Sequence, residues 1–214
     1  MNVTIGARAP RRGNAFSRGL GYWLLRLMGW RIEGAIPDLP KMVIIGAPHT
    51  SNRDGILGIT GLIALGLDAA TMIKDSAFRG PLGGFLRWAG AIPIHRAQAR
   101  GVVEQSIDAF RRRETLALLI APEGTRKAAP EWRRGFHHIA RAAGVPIVPA
   151  AINYRSKRIV LGPPLTPTAH LEADLEQLWS FFVTVGYPAH AGRLSQPLAH
   201  RMGIRWQGNR DTPS

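Results

Sequence analysis

No cysteine occurs in the 214 residues, which excludes disulfides, thiolate metal sites and a cysteine nucleophile. Acidic residues are scarce as well: 14 Asp and Glu stand against 28 Lys and Arg, a formal net charge of +14. Such an excess calls for an anionic partner, and nucleic acid, anionic lipid or an acidic substrate would each serve. A helix-turn-helix signature, an aromatic RNA-binding motif and a zinc knuckle are all missing, and the arginines lie dispersed, which argues against nucleic acid. No Gly-x-Ser-x-Gly elbow is present either. An unbroken membrane span, which takes about 20 apolar residues, is also lacking. The longest apolar stretch, residues 55–72, contains four glycines and Asp68. It reads as a buried helix, a turn and the start of a strand over residues 70–74.

The positive charge is uneven. Arg8, Arg11, Arg12, Arg18, Arg26 and Arg31 all precede the first acidic residue, Glu33. Within this segment residues 20–30 are apolar apart from Arg26 and include Tyr22, Trp23 and Trp30. No small-residue cleavage site follows, so a signal peptide is not expected. Aromatic residues flanked by arginine suit an amphipathic helix lying in a membrane interface. The same segment also suits a helix packed on the domain, and one helix can do both.

Further along, strand patterns cover residues 41–46, 91–96, 115–121, 145–154 and 158–162. Helical patterns cover residues 80–89, 98–113, 131–143 and 169–185, with Gly144 a suitable C-cap. Strands alternating with helices predict a single α/β domain with a mostly parallel or mixed central sheet flanked by helices. The expected organisation is a basic, amphipathic segment over 1–35, the main domain over 36–186 and a loosely held basic tail over 187–214.

Four runs carry chemistry. Ala47-Pro-His-Thr-Ser-Asn-Arg-Asp54 leaves a buried strand and enters a helix, placing His49 at the strand mouth and Asp54 in the first helical turn. An ionised Asp54 near the positive helix end can hold His49 in one tautomer, freeing its other ring nitrogen to take a hydroxyl proton. Ser51 to Asp54 also fits a capping box, which needs no catalysis. In Ala121-Pro-Glu-Gly-Thr-Arg126, a carboxylate, backbone amides, a hydroxyl and a guanidinium suit a polyol phosphate. An ordinary surface turn with a Glu–Arg pair is the other reading. Gly90-Ala-Ile-Pro-Ile-His-Arg96 ends a strand with another arginine. Val145-Pro-Ile-Val-Pro149 reads as core, its prolines arguing for an edge strand or a bulge.

In this order and at these separations, the four runs resemble the blocks of the glycerolipid acyltransferase family, which includes the 1-acylglycerol-3-phosphate O-acyltransferases. The resemblance covers roughly residues 40–155. It implies that His49 and Asp54 are catalytic, that Glu123, Gly124, Thr125 and Arg126 bind a phosphorylated acceptor, and that Arg96 contacts its phosphate. Two departures bear on the acceptor: Arg53 stands where the family often has an aromatic residue, and Ala121 where it usually has phenylalanine.

The implied reaction moves an acyl group from an acyl thioester, acyl-CoA or acyl-carrier protein, to a hydroxyl of a lysophospholipid such as 1-acylglycerol 3-phosphate. Glycerol 3-phosphate, a lyso-aminolipid or another lipid alcohol are alternative acceptors. A non-enzymatic binder of nucleic acid or anionic membrane is the competing class. No metal is expected, and no organic cofactor beyond the thioester donor. His137 and His138 are adjacent and face different sides of a helix. His95 either lines the pocket or is structural, and His170, His190 and His200 lie in terminal segments. The expected location is the cytoplasm, at the inner face of the cell membrane, on an anionic surface.

Overall fold

The computed structural model describes residues 3–74, 83–84, 92–94 and 101–208. Among the described residues, eight strands are interspersed with helices: β1 (Val3–Ile5), β2 (Arg31–Ile36), β3 (Lys41–Ala47), β4 (Ala69–Lys74), β5 (Ile92–Ile94), β6 (Leu116–Ile120), β7 (Ile147–Asn153) and β8 (Arg158–Leu161). They form one sheet in the order β1-β2-β8-β7-β3-β6-β4-β5. Every pairing is parallel except β7 with β8, so the sheet is mixed. The α/β class and the central sheet are therefore as the sequence predicts.

Strand alternation sends the two sides of β3 into two cores. Met42 and Ile44 join Leu25, Ile32, Leu57 and Ala64 under helices α1 (Ala15–Leu27) and α2 (Asn52–Leu65). Val43, Ile45 and Ala47 join the opposite core. Four helices cover that side: α3 (Val102–Arg112), α4 (Gly135–Ala143), α5 (Leu171–Val185) and α6 (Gln196–Arg201). Helix α1 can lie directly on α2 because Gly21 has no side chain: a Cβ there would come within 2.5 Å of the Ala64 amide nitrogen. Among the described residues, no helix is long and apolar enough to cross a membrane.

Several expectations need correction. Strand β7 is not an edge; it lies between β8 and β3, although the pairing slips by one residue beside Pro149, from Pro149 with Gly162 to Ile147 with Leu165. Pro149 is tolerated because its neighbour across the ladder is Gly162, just beyond the end of β8, where only the Gly162 N–H is exchanged, at 2.8 Å to the Pro149 carbonyl. Helix α4 begins at Gly135 rather than residue 131. The preceding residues instead bury Trp132, and the Arg133 N–H is used on the Pro122 carbonyl at 2.7 Å.

The C-terminal segment is not loose over 187–206. Leu194, Leu198 and Ala199 are buried in the core. Trp132 Nε1 donates to Ser195 Oγ at 3.0 Å, and Arg201 pairs with Glu176 while lying 4.3 Å from the Trp179 ring centroid. The N-terminal segment likewise supplies β1 and β2 to the sheet. His137 is buried and bonded to Asp174 Oδ2 at 2.7 Å, tying α4 to α5, while His138 is exposed. Of the helix expected over 80–89, residues 83–84 are described and helical; the rest of it, and the strand flanks beyond 92–94, lie outside the described residues.

Candidate active site

The parallel strands β7, β3 and β6 are neighbours, so their C-terminal ends bring three distant chain segments together. Ligands of open α/β sheets bind beyond such strand ends. His49 follows β3, Glu123 follows β6 and Tyr154 follows β7.

Asp54 sits in the first turn of α2 and is buried. Its Oδ2 accepts the backbone N–H of Thr50 at 2.7 Å and of Ser51 at 2.8 Å, and lies 3.3 Å from His49 Nδ1. The capping reading and the paired-residue reading are thus the same geometry, with one carboxylate oxygen serving both. Its Oδ1 accepts the Tyr154 hydroxyl at 2.5 Å. Burial pushes the Asp54 carboxyl up, but the His49 and Tyr154 hydrogen bonds and the two amides outweigh it, leaving the carboxyl below its usual range. The His49 side chain is 25% exposed, so the ring lies at the boundary between solvent and its buried partner.

Glu123 is also buried, and its Oε2 accepts the His49 backbone N–H at 2.7 Å. Burial, partly offset by that amide and reinforced by the Asp54 charge, pushes the Glu123 carboxyl up to about 8. Its contact in this structure is with the turn over residues 47–54 rather than with open space. Gly124 follows in a left-handed conformation (φ 66°), turning the chain so that Thr125 and Arg126 are exposed. Arg133 lies over this turn; a Cβ on Gly124 would be 3.1 Å from Arg133 Cγ. Arg96 lies outside the described residues.

A further contribution comes from the C-terminal segment. Thr50 Oγ1 accepts the N–H groups of Ala189 and His190 at 3.2 and 3.3 Å, and the Thr50 carbonyl accepts Arg193 Nη1 at 3.4 Å. Sequence reasoning missed Tyr154, Thr50 and Arg193. No local pattern marks them, because each acts through a contact made far along the chain.

The family model described as Acyltransferase matches residues 32–153, more than half the chain and all three of these strand ends. The chain belongs to the acyltransferase family. The 1-acyl-sn-glycerol-3-phosphate acyltransferase of Escherichia coli (strain K12) is 33% identical over 164 residues. That match covers 72% of this chain and 65% of the relative, less than two thirds of its length. The crystal structure of the 1-acyl-sn-glycerophosphate (LPA) acyltransferase PlsC from Thermotoga maritima shares the fold, with a TM-score of 0.60 at 15% identity. The overlap covers 81% of this chain and 80% of that one. As a member of the acyltransferase family, the chain presents a mostly buried imidazole, facing an ionised carboxylate, at the mouth of its sheet.

Proposed function

We propose that this protein transfers a fatty acyl group from an acyl thioester to a hydroxyl of a lysophospholipid such as 1-acylglycerol 3-phosphate. The observation that carries the reading is His49 Nδ1 facing the buried, ionised Asp54 at 3.3 Å, which leaves Nε2 for a substrate proton. The acceptor hydroxyl gives its proton to Nε2 as its oxygen attacks the thioester carbonyl. A C–O bond forms, the C–S bond breaks, and the departing thiolate takes the proton back from the imidazolium. Asp54 stabilises that imidazolium, and a positioned base of this kind contributes about 10²–10⁴-fold. The exposed Thr125 and Arg126, with Arg96, are assigned to the acceptor's phosphate, for which a guanidinium fork is suited. The donor is acyl-CoA or acyl-carrier protein, and no other cofactor is required.

The protein is further placed at the inner face of the cell membrane, where both substrate and product reside. Exposed Phe16, Leu20, Trp23 and Leu27 on α1 and Ile56 and Ile59 on α2 support this. The test is thiol release from long-chain acyl-CoA with and without lysophosphatidic acid. The cysteine-free chain adds no thiol background. Acceptor-dependent release that disappears in His49→Ala is expected. Acceptor-dependent release that survives in a folded His49→Ala protein would falsify the reading. If the phosphate-free lipid alcohols are used as readily, the acceptor belongs to that wider class and Arg126→Ala leaves KM unchanged.

A further inference from the structure

The contacts of Asp54 Oδ2 all arise within residues 49–54, but Oδ1 is served from elsewhere. Its donor is the hydroxyl of Tyr154, at 2.5 Å and 100 residues later in the chain. The distinction matters because the terminal torsion of an aspartate is broad and both oxygens turn on it together. A donor on the second oxygen, coming from another part of the chain, adds a restraint on that torsion independent of the turn.

Tyr154 is itself held at three points. Its backbone N–H donates to the Tyr187 carbonyl at 3.0 Å, and its ring meets the buried Trp30 edge-on with centroids 5.0 Å apart. The third is the hydroxyl on Asp54. We propose that Tyr154 is a positioning residue for the His49–Asp54 pair: its hydroxyl, fixed on Oδ1, resists rotation of the carboxylate and so helps keep Oδ2 against the imidazole. Burial, with the hydrogen bond and charge of Asp54, pushes the Tyr154 hydroxyl above its usual range despite the opposing Arg53 charge and a Ser51 side-chain hydrogen bond, so it remains a donor wherever Asp54 is ionised. The other charged groups on this turn are Glu123 at the His49 amide and Arg193 at the Thr50 carbonyl. Neither contacts Oδ1.

The inference rests on the His49–Asp54 acyl-transfer reading, and one arm of its test needs no substrate. Tyr154→Phe keeps the ring and its contact with Trp30 while removing the hydroxyl. Kinetics are measured from about pH 3 to about pH 9, so that the range reaches the depressed carboxylate as well as a histidine base. The expected result is a kcat lowered about ten- to hundredfold, the effect of leaving a buried acceptor unsatisfied. KM for donor and acceptor stays unmoved. The acid limb shifts to higher pH, because Asp54 loses one of the donors that hold its carboxyl down.

In the second arm, the ring nitrogens and the Nδ1 proton of His49 are followed by NMR in histidine-labelled protein. Their signals should move in Tyr154→Phe while those of the other histidines stay in place. If that variant fails to fold, 3-fluorotyrosine at position 154 keeps the shape and strengthens the donor, moving the His49 signals in the opposite direction. Unmoved His49 signals overturn the proposal whatever happens to kcat. An unchanged kcat in an enzyme whose wild type turns over also overturns it. If the wild type transfers no acyl group to any acceptor, the acyl-transfer reading falls, and the ring signals alone decide whether Tyr154 orients the pair.

Discussion

Glu123 receives a single hydrogen bond on its buried carboxylate, the His49 amide on Oε2, and Oε1 has no partner. An isolated buried charge is costly, so the group resolves the conflict by holding its proton up to about pH 8. The sign of the consequence follows from linkage. Below its unfolded value near 4.5 the carboxyl is neutral in both states. Between that value and about 8 the unfolded chain releases the proton and the folded chain retains it, so this residue's contribution to stability falls as pH rises. Asp54 runs the other way, its stabilisation being present above the ordinary carboxylate range and lost as pH falls through its depressed value. Glu123→Gln keeps an oxygen for the His49 amide and removes the ionisation. Relative to wild type, its melting temperature should therefore rise steadily from about pH 5 to about pH 8.5. A difference that stays constant over that range would mean that Glu123 is already ionised in the folded protein.

Among elements, the turn at 47–54 is braced by α2, by the ends of β6 and β7, and by the C-terminal segment. The last brace converges on one buried hydroxyl, Thr50 Oγ1, which takes two backbone amides. Thr50→Val keeps the shape and removes both bonds, so urea unfolding should show a loss of about 1–2 kcal/mol. Thr184→Val, on the exposed face of α5, is the control and should cost less than about 0.5 kcal/mol. Equal losses in the two variants would show that the C-terminal segment does not brace the turn. This brace also marks where sequence reading stops. The runs at 41–46, 115–121 and 145–154 are legible as strands because apolar, β-branched residues are a local signal. Their order β7-β3-β6, which makes the site, is a matter of long-range pairing and leaves no local trace. Pro149 points wrongly to an edge for the same reason: a missing N–H rules out a central strand only where a partner needs it, and Gly162 lies past the end of β8. His49, Asp54 and Glu123 are legible through their block spacing, whereas Tyr154 and Thr50 gain their roles from what they touch.

For the whole molecule, charge and apolar surface coincide in the N-terminal third. Phe16, Leu20, Trp23 and Leu27 recur at helical spacing and form an exposed stripe on α1. Gly21, on the other side of α1, docks it onto α2, whose Ile56 and Ile59 are exposed too. Helix α2 also carries Asp54, so a lipid surface covering this stripe would lie against the element that holds the partner of His49. The basic excess before Glu33 adds long-range attraction to anionic headgroups, which salt weakens. Trp23 is 58% exposed and Leu27 is 70% exposed, so replacing them removes little from the folded core. The combined change Phe16→Ser, Trp23→Ser and Leu27→Ser should leave the melting temperature in place. It should lower partition into anionic vesicles by roughly tenfold or more, given about 1.5–3 kcal/mol for each such side chain fully buried. Raising salt should weaken what binding remains, because the charge persists when the stripe is gone. Partition by the triple variant equal to that of wild type would move the membrane contact away from α1 and leave charge alone to account for it.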